Sequence, residues 1–127
     1  MADKKALVVD DEFHIVQVVA IKLRNNGFEV LTADNGNQAY QLACQHHPDV
    51  IVTDYQMPSM TGIELIEKLR QNKSTADTPV LMLTARGFSI EDQQKENLRI
   101  AACLSKPFSP REVLQSIEQV LAQKAEV

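Results

Sequence analysis

The stretch "DVIVTDYQMP", Asp49 to Pro58, decides how the chain is read. Val50, Ile51 and Val52 make a short continuous apolar run, as expected of a strand covered on both faces. The run leads to Asp54, a charge that is costly to bury. Pro58 forbids further strand soon afterwards. A carboxylate at the tip of a core strand needs a partner, and the rest of the sequence supplies candidates.

Similar apolar runs occur at Lys5–Asp10 ("KALVVD"), Phe28–Ala33 ("FEVLTA"), Pro79–Thr84 ("PVLMLT") and Ala102–Ser105 ("ACLS"). "FEVLTA" alternates more than the others, which suits an edge strand. The segments between the runs read as helices. Thr61 and Glu64 stand in capping-box positions, as do Ser109 and Glu112, with Pro110 at the favoured first helical position. Val113, Ile117, Val120 and Leu121 then form one buried stripe. Phe13, Val16, Ala20 and Leu23 predict a similar stripe early in the chain, stopped at Asn26-Gly27. "NQAYQLACQHH" predicts a second helix, ended before Pro48. In "SIEDQQKENL", Ser89 is the expected cap, and only Ile90 and Leu98 are apolar anchors. So few buried contacts predict low local stability. This fourth helix is expected to be mobile and part of a partner surface.

Five strands and five helices in strict alternation predict an α/β fold, a parallel sheet with helices on both faces. Its crossovers are right-handed. The 127 residues fit one domain with no internal repeat, and neither a second domain nor an output domain is expected. A net charge of −4 without a Lys/Arg cluster argues against direct binding of nucleic acid. No apolar stretch approaches the roughly 20 residues that span a membrane. No signal peptide is visible, and Cys44 and Cys103 lack C-x-x-C spacing, so a cytoplasmic protein with reduced thiols is expected.

In an open parallel sheet, ligands sit beyond the carboxyl ends of the strands, where strand order reverses. Asp54 ends the third strand, and Asp10 and Asp11 end or follow the first. If those strands are neighbours, about 4.8 Å apart, three carboxylates crowd one pocket. Each pair then repels by about 3 kcal/mol at an effective dielectric near 20. Such a cluster persists if something positive joins it or if some groups stay protonated. A divalent cation is one candidate: oxygen-only ligands suit Mg²⁺ or Mn²⁺ and do not suit zinc. Lys106, at the end of the fifth strand, is the other. Thr84 ends the fourth strand, and its hydroxyl is expected to face the same pocket. A carboxylate beside a metal, a lysine and a hydroxyl donor is equipped to accept a phosphoryl group.

At this point the chain resembles the receiver domain of two-component response regulators across essentially its whole length. "VVDDE", "DVIVTDYQMPSMTG", "VLMLTAR" and "CLSKPFSPRE" carry the resemblance, in order and at fitting spacing. It implies the flavodoxin-like strand order 2-1-3-4-5. Asp54 would accept the phosphoryl group from a histidine kinase or a histidine phosphotransfer protein. Asp11, Asp54 and the Gln56 backbone carbonyl would bind Mg²⁺, with Asp10 positioning the ion through water. Thr84, the Ala85 backbone N–H and Lys106 would hold the phosphoryl oxygens. Lys106–Pro107 would be a cis bond, and Gln56 and Arg86 would tune hydrolysis. The modified form would act on a downstream protein, as a monomer or a phosphorylation-dependent dimer. The chain departs from the family twice. Cys103 stands where an aromatic ring is usual, so the usual threonine–aromatic switch cannot run through it. Arg99 stands where glycine is frequent.

Taken singly, these residues have plainer readings. Asp10 could cap a helix, Thr84 could be an ordinary strand end, and Lys106 could be a solvated lysine. His14, His46 and His47 are not read as metal ligands. Two other functions compete with a phospho-receiver. An aspartate-nucleophile, Mg-dependent phosphohydrolase also uses an acidic pocket, but Gln56 offers no second acid and no cap domain is expected. A degenerate receiver that only binds partners would not need the full set of acids with Thr84 and Lys106.

Overall fold

The computed structural model describes residues 4–57, 59–85 and 91–125. Five strands and five helices alternate along the chain: β1 (Lys5–Val9), α1 (Phe13–Arg24), β2 (Glu29–Ala33), α2 (Gly36–His46), β3 (Val50–Asp54), α3 (Gly62–Gln71), β4 (Val80–Thr84), α4 (Asp92–Leu98), β5 (Ile100–Ser105) and α5 (Pro110–Ala125). The strands pair in parallel in the order β2-β1-β3-β4-β5. The order reverses between β1 and β3, so β3 lies beside β1 and the Asp54 tip sits in the middle of the sheet.

Strand alternation sorts the core into two layers. Leu7, Val9, Ile51, Val80 and Met82 pack with Ala39 and Ala43 of α2 and with Leu65, Ile66 and Leu69 of α3. Ala6, Val8, Val50, Val52, Leu81 and Leu83 pack with Val19, Ala20 and Leu23 of α1 and with Val113, Leu114 and Ile117 of α5. β1, β3 and β4 are covered on both faces, which is why their sequences are almost continuously apolar. β2 is an edge strand, in keeping with its mixed sequence.

Both capping boxes form. Thr61 Oγ1 accepts from the Glu64 N–H (3.2 Å) while Glu64 accepts from the Thr61 N–H (2.9 Å). Ser109 and Glu112 do the same at the start of α5 (3.2 and 2.9 Å). α2 ends on His47, whose φ of 50° is left-handed, just before Pro48.

One local expectation needs correction, and another falls partly outside the described residues. Phe13 is not part of the buried stripe of α1; it is 70% exposed, and Val16, Val19, Ala20 and Leu23 do the burying. Phe13 opens α1 just beyond the end of β1 with its side chain exposed, while Ile15 and Val16 in the same turn already pack inward. The described part of the fourth helix begins at Asp92, with Glu91 as its cap and no side-chain capping bond. Ser89 and Ile90 lie outside the described residues. No residue of α4 is fully buried, and Leu98 is half-buried against the α2–α3 layer.

The α4–β5 junction is held from α3. Arg70 donates to the carbonyls of Leu98 (2.9 Å), Thr78 (2.7 Å), Ala76 (3.1 Å), Thr75 (3.4 Å) and Arg99 (3.3 Å). Arg99 adopts φ 55°, the left-handed conformation that favours glycine. Its guanidinium is tied down by Asp77 (3.1 Å) and the Ala76 carbonyl (2.8 Å). The pairing of β4 with β5 then shifts register between Val80 and Leu81, a bulge that leaves Ala101 unpaired.

Candidate functional site

The carboxyl edge of the sheet gathers groups from four strand ends. Asp54, the last residue of β3, is almost fully buried, as is Asp10 just beyond β1. The Asp10 backbone N–H donates to the Ala33 carbonyl (3.2 Å), which fixes the chain as it leaves β1. Asp10 Oδ1 accepts from the Glu12 N–H (2.9 Å), a turn that carries Glu12 back over the pocket. Asp10 Oδ2 is buried with no hydrogen-bond partner.

Among the described residues, one group of three potential metal ligands has its atoms within 4.8 Å of one another: Asp10, Glu12 and Asp54. Glu12 was not singled out by sequence reasoning. The signal available was its place directly after the Asp10-Asp11 pair. Asp11, the expected ligand, is exposed on the rim, in a cleft of about 400 Å³ shared with Tyr55, Gln56, Met57 and Thr61. Its negative charge still reaches Asp54 and pushes that carboxyl up.

Lys106 supplies the positive charge. Its Nζ lies 3.0 Å from Glu12 Oε1 and 3.8 Å from Asp54 Oδ2. The Lys106–Pro107 bond that follows is cis. Thr84 is buried at the end of β4, and its hydroxyl donates to the Leu104 carbonyl on β5 (3.3 Å). The hydroxyl is therefore already engaged across the β4–β5 pair. Ala85 is exposed directly after it, and Arg86 lies outside the described residues. Cys103 sits half-buried on β5 opposite Met82, and burial pushes its thiol up. Cys44 and Cys103 are both free thiols.

α3 starts close behind Asp54. The Gly62 N–H donates to the Tyr55 carbonyl (2.8 Å), and a Cβ at Gly62 would lie 2.6 Å from the Asp54 carbonyl oxygen. Only glycine allows this approach, which holds the backbone at Asp54 and Tyr55 against the start of α3.

The electrostatics follow from this crowding. Burial pushes Asp10 up to about 7; the Glu12 N–H and Lys106 oppose the rise, and the charge of Asp54 adds to it. Burial also raises Asp54, against the pull of Lys106 and of the Tyr55 N–H. For Lys106, burial alone would lower the pKa. The hydrogen bond to Glu12 and the carboxylates of Asp54 and Asp10 outweigh it, so the ammonium is held above its ordinary value. One lysine thus faces three acids. The residual negative charge, the oxygen-only donor set and the unpartnered Asp10 Oδ2 fit a hard divalent cation. They offer nothing to a soft metal.

The family model described as the response regulator receiver domain matches residues 6–118. The phosphate regulon transcriptional regulatory protein PhoB of Pseudomonas aeruginosa is 39% identical over 123 residues, covering 95% of this chain and 53% of that protein. The alkaline phosphatase synthesis transcriptional regulatory protein PhoP of Bacillus subtilis is 40% identical over 119 residues, covering 94% of this chain and 49% of that protein. The chain therefore spans about half the length of these curated relatives. Among solved structures, the chemotaxis response regulator CheY4 of Vibrio cholerae superposes with a TM-score of 0.85 at 36% identity, covering 94% of this chain and 99% of that one.

Proposed function

The chain belongs to the response regulator receiver domain family, and from that premise we propose that Asp54 is the residue at which it accepts a phosphoryl group in a two-component phosphorelay. The observation that carries this reading is a buried carboxylate 3.8 Å from the one lysine of the pocket.

An Asp54 carboxylate oxygen attacks the phosphorus of a phosphohistidine. The new O–P bond forms as the N–P bond breaks, and the imidazole nitrogen leaves with the electron pair and takes up a proton. Lys106 pairs with a phosphoryl oxygen, and the Ala85 backbone N–H donates to another. Thr84 contributes its hydroxyl after leaving the Leu104 carbonyl. These groups position the reacting oxygens and offset their charge, which is most of what phosphoryl transfer demands.

Receiver domains bind Mg²⁺ in an acidic pocket. In this chain Asp11, Asp54 and the Gln56 carbonyl would hold the ion, with Asp10 positioning it through water; Mn²⁺ suits the same donors. When bound, the ion neutralises the phosphoryl oxygens and screens the acids from one another.

Receiver domains interact with histidine kinases or other phosphodonors. A histidine kinase or a histidine phosphotransfer protein is the proposed donor here, in the cytoplasm, with a protein as the downstream partner and no direct contact with nucleic acid. The chain catalyses at most its own phosphorylation and dephosphorylation. At the second position after Asp54, Gln56 is an exposed amide, unable to protonate a leaving group as a phosphohydrolase requires.

Incubation with acetyl phosphate and Mg²⁺, followed by intact mass, tests the assignment. The expected result is one acid-stable, base-labile phosphoryl adduct that is absent in Asp54→Asn. An adduct that persists in Asp54→Asn would place the acceptor elsewhere, and steady turnover of small phosphate esters would revive the hydrolase reading.

A further inference from the structure

Glu12 occupies a place that phosphoryl acceptance does not explain. Its side chain is 58% exposed at the mouth of the pocket, yet it makes the shortest contact to Lys106. The 3.0 Å distance is a charge-assisted hydrogen bond, whereas the 3.8 Å to Asp54 is an ion pair beyond hydrogen-bonding distance. Glu12 is held over the pocket by its own backbone, through the N–H that Asp10 Oδ1 accepts. The pair joins residues 94 positions apart, tying the β1–α1 turn to the β5–α5 turn.

Resting on the phospho-acceptor reading above, we propose that Glu12 is a positioning residue that retains Lys106 in the unmodified protein and competes with the incoming phosphoryl group for its ammonium. Lys106 serves the phosphoryl group only as Glu12 gives it up. Because the pair is partly solvated, the retention is weak, and its release is reachable by an incoming dianion. Glu12 thereby sets how readily Asp54 is modified without touching the reacting atoms.

The test is a double-substitution cycle of Glu12 and Lys106, read as the rate of adduct formation with acetyl phosphate and Mg²⁺. Glu12→Gln is expected to speed adduct formation by about two- to fivefold, the range for an exposed pair. Glu12→Asp keeps the charge but shortens the reach, so it is expected to behave like Glu12→Gln. In a Lys106→Met background, both substitutions at position 12 are expected to have no effect. Persistence of the acceleration in that background would overturn the proposal, since Glu12 would then act as a bare charge. So would slower adduct formation in Glu12→Gln, or a change in Mg²⁺ affinity that is the same with and without Lys106. A second readout needs no phosphorylation: the Lys106 ammonium protons in NMR spectra of the unmodified protein should exchange faster in Glu12→Gln. No change in that signal would also overturn the retention. A wild-type chain that takes no phosphoryl group at all would sink the acceptor reading instead, while the ammonium signal would still report the pairing.

Discussion

Gly62 shows how one missing side chain sets the backbone geometry at Asp54. Its hydrogen bond to the Tyr55 carbonyl brings α3 against the end of β3, where a Cβ would meet the Asp54 carbonyl oxygen at 2.6 Å. That oxygen is backbone and cannot swing away as a flexible side chain could. Gly62→Ala is therefore expected to destabilise the fold by about 1–3 kcal/mol, the usual cost of forcing extra volume into a packed site. A urea midpoint equal to that of the wild type would show that the clamp is looser than drawn. At this scale the sequence was readable where the signal is local. Thr61 with Glu64, and Ser109 with Glu112, announce their helices because each box closes within four residues. Glu12 was not readable, because its meaning lies in Lys106, far along the chain. The hydrogen bond of the Thr84 hydroxyl to the Leu104 carbonyl was not readable either, because it depends on the pairing of β4 with β5.

The elements were predicted correctly in type and order because β1, β3 and β4 are buried on both faces and so carry unbroken apolar runs. What the pattern missed lies where an element is thinly covered. Phe13 fits the periodicity of α1, but periodicity does not show that its side chain stays exposed. α4 is the sparsest element, with no fully buried residue, and its described contacts concentrate at the C-terminal end. There Arg70 collects five backbone carbonyls, and its guanidinium is held below the ordinary arginine value by burial and by the nearby charge of Arg99. Removing Arg70 leaves several of those carbonyls unsatisfied. Arg70→Ala is expected to cost about 2 kcal/mol and to speed amide exchange around Leu98–Ile100 more than in α1. Unchanged exchange at that junction would mean that β5 pairing alone holds it. Arg99 belongs to the same joint. Where glycine would be easiest, its left-handed backbone is kept by Asp77 and the Ala76 carbonyl, so this departure from the family is compensated locally.

For the whole molecule, the cost of the acidic edge falls on stability. Burial pushes Asp10 up to about 7 from an ordinary aspartate value of 3.8, and Asp54 is shifted in the same direction. The folded state thus binds these protons more tightly than the unfolded state. Stability is highest below about pH 4 with respect to these groups, and it is lost as the pH rises through about 7. In the presence of a chelator, the urea midpoint is expected to fall between pH 5 and pH 8. The fall should shrink in Asp10→Asn and, on the proposed function, be offset at pH 8 by millimolar Mg²⁺, which would bind only the folded arrangement. A midpoint that stays level in the chelator for both proteins would remove the buried-charge account. The strand order has a corollary. The acids descend from β1 and β3, whereas Thr84 and Lys106 belong to β4 and β5. An occupant gripped by both sets would bridge the β3–β4 pair in the middle of the sheet, so its charge would be met by β4 and β5 as well as by the strands that carry the acids.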